Sequence, residues 1–252
     1  MSNIVTLIRR ELAGSFLSPL AYVTIFLFLL FNGYVFGEWL HLLQLLGGGS
    51  GVEVSTLLGS YLGSPVLILL LGLLAPVLTF RSLAGEKSSG TLEMLLTAPV
   101  TDSQLVVAKF LGAFLFYAVI TLSTSVYVLY VVAIGGLPDW GVIASAYTGV
   151  LLLGAMLIAI NLFFSSITTN MVVALIVSIF VNLALLLVPG FLGSRTQDPF
   201  LVELADYLDL FRHFQRDFGA GIVDTRHLVY YGTTMALGLF LTLRAVELRK
   251  WR

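Results

Sequence analysis

Six long apolar runs, at about residues 20–37, 56–80, 105–134, 142–164, 171–188 and 228–243, alternate with short polar stretches along the chain. Runs of this length with almost no charge predict helices that cross a bilayer, where a helix can satisfy its own backbone donors and acceptors. Pro19 marks the entry to the first, Pro65 and Pro76 predict a bend or break in the second, and Pro189-Gly190 closes the fifth. Ahead of the first span, Ile4, Val5, Ile8 and Leu12 form one helical flank with Thr6 and Arg10 opposite. That pattern predicts a helix lying in the membrane interface, with Arg9 and Arg10 placed for anionic headgroups.

Residues 81–109 are the polar interruption that carries both dense charge and a helical pattern of its own. Leu92, Leu95 and Leu96 fall at i, i+3 and i+4, with Glu93 pointing elsewhere. Ser88, Ser89 and Gly90 precede this short amphipathic helix and Pro99 stops it. Thr101 and Gln104 have capping-box spacing at the head of the third span, with Asp102 placed against the helix dipole. The pattern fits two readings: an ordinary connecting loop, or a docking element that sets its leucines in a partner's groove with Glu86, Lys87 and Glu93 on the rim.

The connection 191–227 is the other informative stretch. Leu201, Leu204, Tyr207, Leu208, Phe211, Phe214 and Phe218 share one arc of a helix, with Asp206, Asp209, His213, Arg216 and Asp217 opposite. This predicts an amphipathic helix at the far interface, either a plain surface belt or one that dips between spans five and six.

Composition agrees with the pattern: 58% of the 252 residues are hydrophobic and 11% charged. A net charge of -1 offers no basic stripe for nucleic acid, and with no cysteine the chain has neither disulfides nor thiolate metal sites. Nine of the 13 Lys and Arg lie at the ends that would share a side with the N-terminus, and the other four, Arg195, Arg212, Arg216 and Arg226, lie in or beside the connection 191–227. Both termini are therefore expected in the cytoplasm.

Candidate chemistry is sparse. No Gly-x-x-x-x-Gly-Lys-[Ser/Thr] stretch is present to cradle nucleotide phosphates, and His41, His213 and His227 stand apart in connections without metal-binding spacing. The spans hold no Asp, Glu, Arg or His well inside, and Lys109 lies near an end from which it can snorkel. An ion-coupled transporter needs such buried groups, so an external energy source is the better expectation. Asn32, Asn161, Asn182 and the Ser123-Thr124-Ser125 cluster are left as interhelical hydrogen-bonding groups or pathway-lining ones.

The string Glu86-Lys87-x-x-Gly90-Thr91-Leu92-Glu93-x-Leu95-Leu96-Thr97-x-Pro99-Val100, followed by Lys109-Phe110, resembles the first cytoplasmic loop of ABC-2 type transporter permeases. It is most similar to the gliding-motility-associated branch, whose relatives include the nitrous-oxide-reductase maturation permeases. The stretch from Phe218 to Thr225 resembles that branch as well. The resemblance implies an all-α membrane domain over residues 1–252 with six spans, an N-terminal connecting helix carrying Arg9, Arg10 and Glu11, and an exporter of the bacterial inner membrane. It implies that Glu86, Lys87, Gly90, Thr91, Leu92, Glu93, Leu95 and Leu96 form a coupling helix that docks on an ATPase subunit. ATP and Mg would be bound by that partner, with no cofactor in this chain, and a second permease subunit would complete the pathway. An auxiliary protein with an extracytoplasmic domain is a further implied partner. A scaffold that transports nothing and anchors a soluble partner through residues 86–100 is the competing expectation; an intramembrane enzyme would need a buried catalytic set that the spans do not suggest.

Overall fold

The computed structural model describes residues 2–47, 54–90 and 101–249. An amphipathic helix α1 (Ser2–Phe16) leads through Ser18 into α2 (Pro19–Gly47). The second span is α3 (Val54–Leu62) and α4 (Pro65–Thr79), followed by one short turn of helix, α5 (Ala84–Ser88). Then come α6 (Asp102–Ser123), α7 (Ser125–Ala133), α8 (Trp140–Ile167) and α9 (Met171–Arg195). The connection to the last span holds α10 (Pro199–Leu208) and α11 (Leu210–Arg212), and the span itself is α12 (Thr225–Arg249). Six helical stretches among the described residues are long and apolar enough to cross a membrane. The protein is an all-α integral membrane protein.

Helix α8 lies at the centre. Met156, Leu157, Ile158, Ala159 and Leu162 are fully buried, and α12, α4, α6, α3 and α9 all pack on it. By contrast α2 stands at the edge: Phe28, Asn32 and Phe36 turn inward while Tyr22, Phe26, Leu30 and Tyr34 remain exposed. It is joined to the bundle through rings, Phe36 stacking on Tyr127 at 5.0 Å and meeting Tyr61 edge-on at 5.2 Å.

Several span ends differ from the sequence expectation. Helix α2 continues past residue 37 through Glu38 and His41 to Gly47, because no breaker precedes the glycine run. Helix α9 continues through Pro189 to Arg195. In an apolar setting, continuing the helix is the cheapest way to satisfy the neighbouring backbone groups, so one missing donor does not end it. The second span does break before Pro65, where Ser64 Oγ accepts the Leu67 N–H at 3.3 Å and starts α4, but Pro76 stays inside α4. The third span is interrupted at Thr124, whose hydroxyl lies 2.9 Å from Tyr147 Oη.

The single amphipathic helix expected within residues 191–227 is instead two arms. Asp209 ends the first arm and caps the next, accepting from the Phe211 and Arg212 amides at 3.0 and 3.3 Å. On α10, Leu201, Leu204 and Tyr207 are exposed, as a surface belt would be. Beyond Asp209 the chain winds as a π turn (His213–Asp217) and a 3-10 turn (Phe218–Ala220), and Phe214 and Phe218 are completely buried. Glycine makes the room: a Cβ on Gly59 of α3 would stand 2.2 Å from the Gly219 carbonyl oxygen. His213, expected on the polar arc, is buried with them.

Candidate functional site

The described parts of the 81–109 segment are fastened to the bundle on every side. Lys109, about two turns into α6, is only 2% exposed rather than snorkelling. Its ammonium lies 2.8 Å from Glu86 Oε1 on α5 and 3.1 Å from Glu11 Oε1 on α1, and donates to the Ser82 carbonyl at 3.0 Å. Burying an ammonium is costly unless it is paired and hydrogen-bonded, and here three oxygens surround it. Glu86 therefore points into the protein and not onto a rim.

Helix α1 reaches this site because its inward stripe is Ile4, Leu7, Ile8, Glu11, Leu12, Ser15 and Phe16, a 3–4 spacing that holds one charged member. Val5, expected on that flank, is 54% exposed, while Arg9 and Arg10 face outward. Phe16 meets Phe116 edge-on at 4.8 Å, and Gly112 of α6 lets Glu11 come close: a Cβ there would stand 2.7 Å from Glu11 Cβ.

On the other flank α8 holds the segment by its C-terminal end. Ser165 Oγ accepts from the Leu83 and Ala84 amides at 3.2 and 3.0 Å, two donors at the head of α5 that would otherwise lack partners. Lys87 donates to the carbonyls of Ser166 and Thr168, so it too turns toward the bundle and not toward a rim. Below them Leu83, Leu105, Val106 and Val246 form a small apolar cluster that brings in the end of α12.

Downstream, Thr101 Oγ1 accepts from the Gln104 amide at 3.3 Å and the Gln104 side chain accepts from the Thr101 amide at 3.2 Å, the reciprocal cap that the spacing predicts. Gly90 leaves α5 with φ +73°, the left-handed region that favours glycine. Thr91, Leu92, Glu93, Leu95 and Leu96 lie outside the described residues. Both ends of residues 91–100 are thus set on rigid ground, tied to α1, α6 and α8.

Sequence reasoning missed this arrangement because its members are far apart in the chain. The one signal was Lys109 itself, a lysine inside an apolar helix with carboxylates near the ends of two other helices.

The three asparagines lie inside the chain. Asn32 donates to the Phe28 carbonyl at 2.9 Å and Asn182 to the Gly72 carbonyl at 2.8 Å, across to α4. The Asn161 amide is fully buried and makes no hydrogen bond among the described residues.

At the opposite end of the bundle, the rings of His213 and His227 lie 3.9 Å apart. His227 Nε2 stands 2.7 Å from Asp217 Oδ2. His213 Nε2 lies 3.1 Å from the Tyr207 carbonyl oxygen, which can only accept, and its Nδ1 lies 3.4 Å from Tyr231 Oη. This suits a neutral ring with the proton on Nε2. Burial, reinforced by the neighbouring His227, lowers the pKa of His213 to about 4. Among the described residues no three His, Cys, Asp or Glu gather to hold a metal ion.

Comparison with known protein families finds a match over residues 5–241 to the family described as ABC-2 family transporter protein. No curated protein matched the sequence.

Proposed function

The chain belongs to the ABC-2 family transporter proteins, and we propose from that premise that it is the permease subunit of an exporter driven by a separate ATPase. The observation that carries the proposal is the fastening of residues 81–90 and 101–109 to α1, α6 and α8 through Lys109, Glu86, Glu11 and Ser165. A loop that only connects two spans has no need of three such anchors. A loop that receives force does.

In this reading residues 90–96 dock on the ATPase through Leu92, Leu95 and Leu96, with ATP and Mg held by that partner. Closure of the ATPase pair pushes on the loop. The push reaches α4 through α5, α6 through Lys109 and α8 through Ser165, so the spans turn together and switch the cavity from inward to outward access. Two permease chains, each with one ATPase, form the pathway in the bacterial inner membrane, with both chain termini in the cytoplasm. The likeness of residues 86–100 and 218–225 to the gliding-motility-associated branch supports membership of that branch and an auxiliary extracytoplasmic partner.

The test is a pull-down of the detergent-solubilised, tagged chain beside a Leu95→Asp, Leu96→Asp variant, assayed for co-purifying ATPase activity. Wild type should bring down an ATPase and the variant should not. A variant that retains the ATPase and full transport rules out this docking site. If neither protein brings one down while the permease pair stays intact, a scaffold that transports nothing is the better reading.

A further inference from the structure

A cavity of about 310 Å³ opens between α1, α2, α4 and α6, beside the Lys109 cluster. Around the Lys109 cluster it carries Arg10, Arg81 and Ser82, and one to two turns further along α4 and α6 it carries Val77, Leu78, Ala113 and Phe116, facing Ser15, Ser18 and Thr24. A charged end that leads onto apolar side chains of two spans suits a membrane lipid entering from the interface.

The charges narrow the occupant. Glu11 and Glu86 also line the cavity, and both carboxylates contact Lys109. Arg10 and Arg81 are exposed, and among the described residues neither makes an ion pair; the Arg81 guanidinium rests 5.2 Å over the Phe80 ring. Three cations against two carboxylates leave one positive charge, which a phosphodiester neutralises and a doubly charged phosphomonoester exceeds. The Ser82 hydroxyl is buried at this wall with no hydrogen-bond partner among the described residues. Arginine is suited to phosphate oxygens because its planar fork presents several donors.

We infer that this cavity binds the headgroup of a singly charged anionic glycerophospholipid, its phosphodiester held by Arg10 and Arg81 and its first acyl carbons laid along Val77, Leu78 and Phe116. The lipid would then fill the angle between α1 and the spans. This inference rests on the membrane character of the chain and not on ATPase docking.

The test uses the purified full chain in detergent, titrated with short-chain phosphatidylglycerol or phosphatidylcholine, with bound lipid counted by native mass spectrometry. Phosphatidylglycerol should bind at least tenfold more tightly than phosphatidylcholine. The Arg10→Gln, Arg81→Gln variant should lose that preference, and Arg195→Gln, Arg226→Gln should keep it. Gly14 lines the cavity and a Cβ on it meets nothing within 4 Å, so Gly14→Phe should obstruct the site while leaving every charge in place. Equal binding of the two lipids, or a preference that survives both the arginine variant and Gly14→Phe, overturns the inference. Full competition by inorganic phosphate at equal concentration overturns it in favour of a free-anion site. No ATPase is present in the assay, so either result leaves the docking proposal to its own test.

Discussion

Glu86 and Lys109 meet at 2.8 Å although residues 91–100 lie between them in sequence. The pair joins the two segments that flank those residues, and Glu11 joins it from α1. Removing the ammonium should leave two carboxylates facing each other in a largely buried site. Lys109→Met is expected to cost about 3–5 kcal/mol, read as a fall in the thermal unfolding midpoint in detergent. Glu86→Gln should cost less, and the double variant should show a coupling of about 0.5–3 kcal/mol. Additive effects of the two changes would mean that the pair does not act as a unit.

Ser165 supplies one oxygen to two backbone donors, Leu83 and Ala84. Ser165→Ala should therefore cost about 1–3 kcal/mol, because buried amides lose their acceptor. Hydrogen exchange locates the effect: the amides of residues 83 and 84 should lose protection while those in the centre of α8 keep theirs.

The contact of α1 with α6 depends on the absence of a side chain at Gly112. Gly112→Val should push Glu11 away from Lys109 and cost about 1–3 kcal/mol as overpacking. Limited proteolysis should then cut within residues 2–16 faster than in wild type. Gly14→Ala is the control: its Cβ meets nothing within 4 Å, so the better helix former should be neutral or stabilise by up to about 1 kcal/mol.

The neutral state of His213 links stability to pH. Its folded pKa of about 4 lies below the ordinary value of 6.5, so between these values the unfolded chain binds more protons. Stability from this group is complete above about pH 6.5 and is lost as the pH falls toward 4, by about 3 kcal/mol in all. The thermal midpoint of wild type should fall over this window, and that of His213→Gln should fall less. Parallel curves would assign the acid sensitivity to other groups.

What could be read from sequence was what depends on neighbours in the chain. The cap formed by Thr101 and Gln104 and the apolar periods of the spans are local, and both stand as expected. The inward turn after Asp209 was not legible, because residues 201–218 have one apolar arc and nothing local says that its second half has room inside. That room comes from Gly59 and Gly149, which belong to other helices. Lys109 was misplaced for the same reason: snorkelling is the better outcome for a lone lysine, and only folding brings Glu11 and Glu86 to it.

The separation of Glu11 from Lys109 also sets an order of assembly. Lys109 is 98 residues further along the chain, and at about 5–20 residues per second it leaves the ribosome roughly 5–20 s after Glu11. During that interval α1 has an amphipathic face but no ammonium to receive its carboxylate. The earliest of the described helices to be made is thus not fixed until α6 has followed the first two spans and stands in register. A nascent chain with a misplaced second or third span leaves Glu11 without its ammonium, and α1 stays loose on the membrane surface, open to proteases.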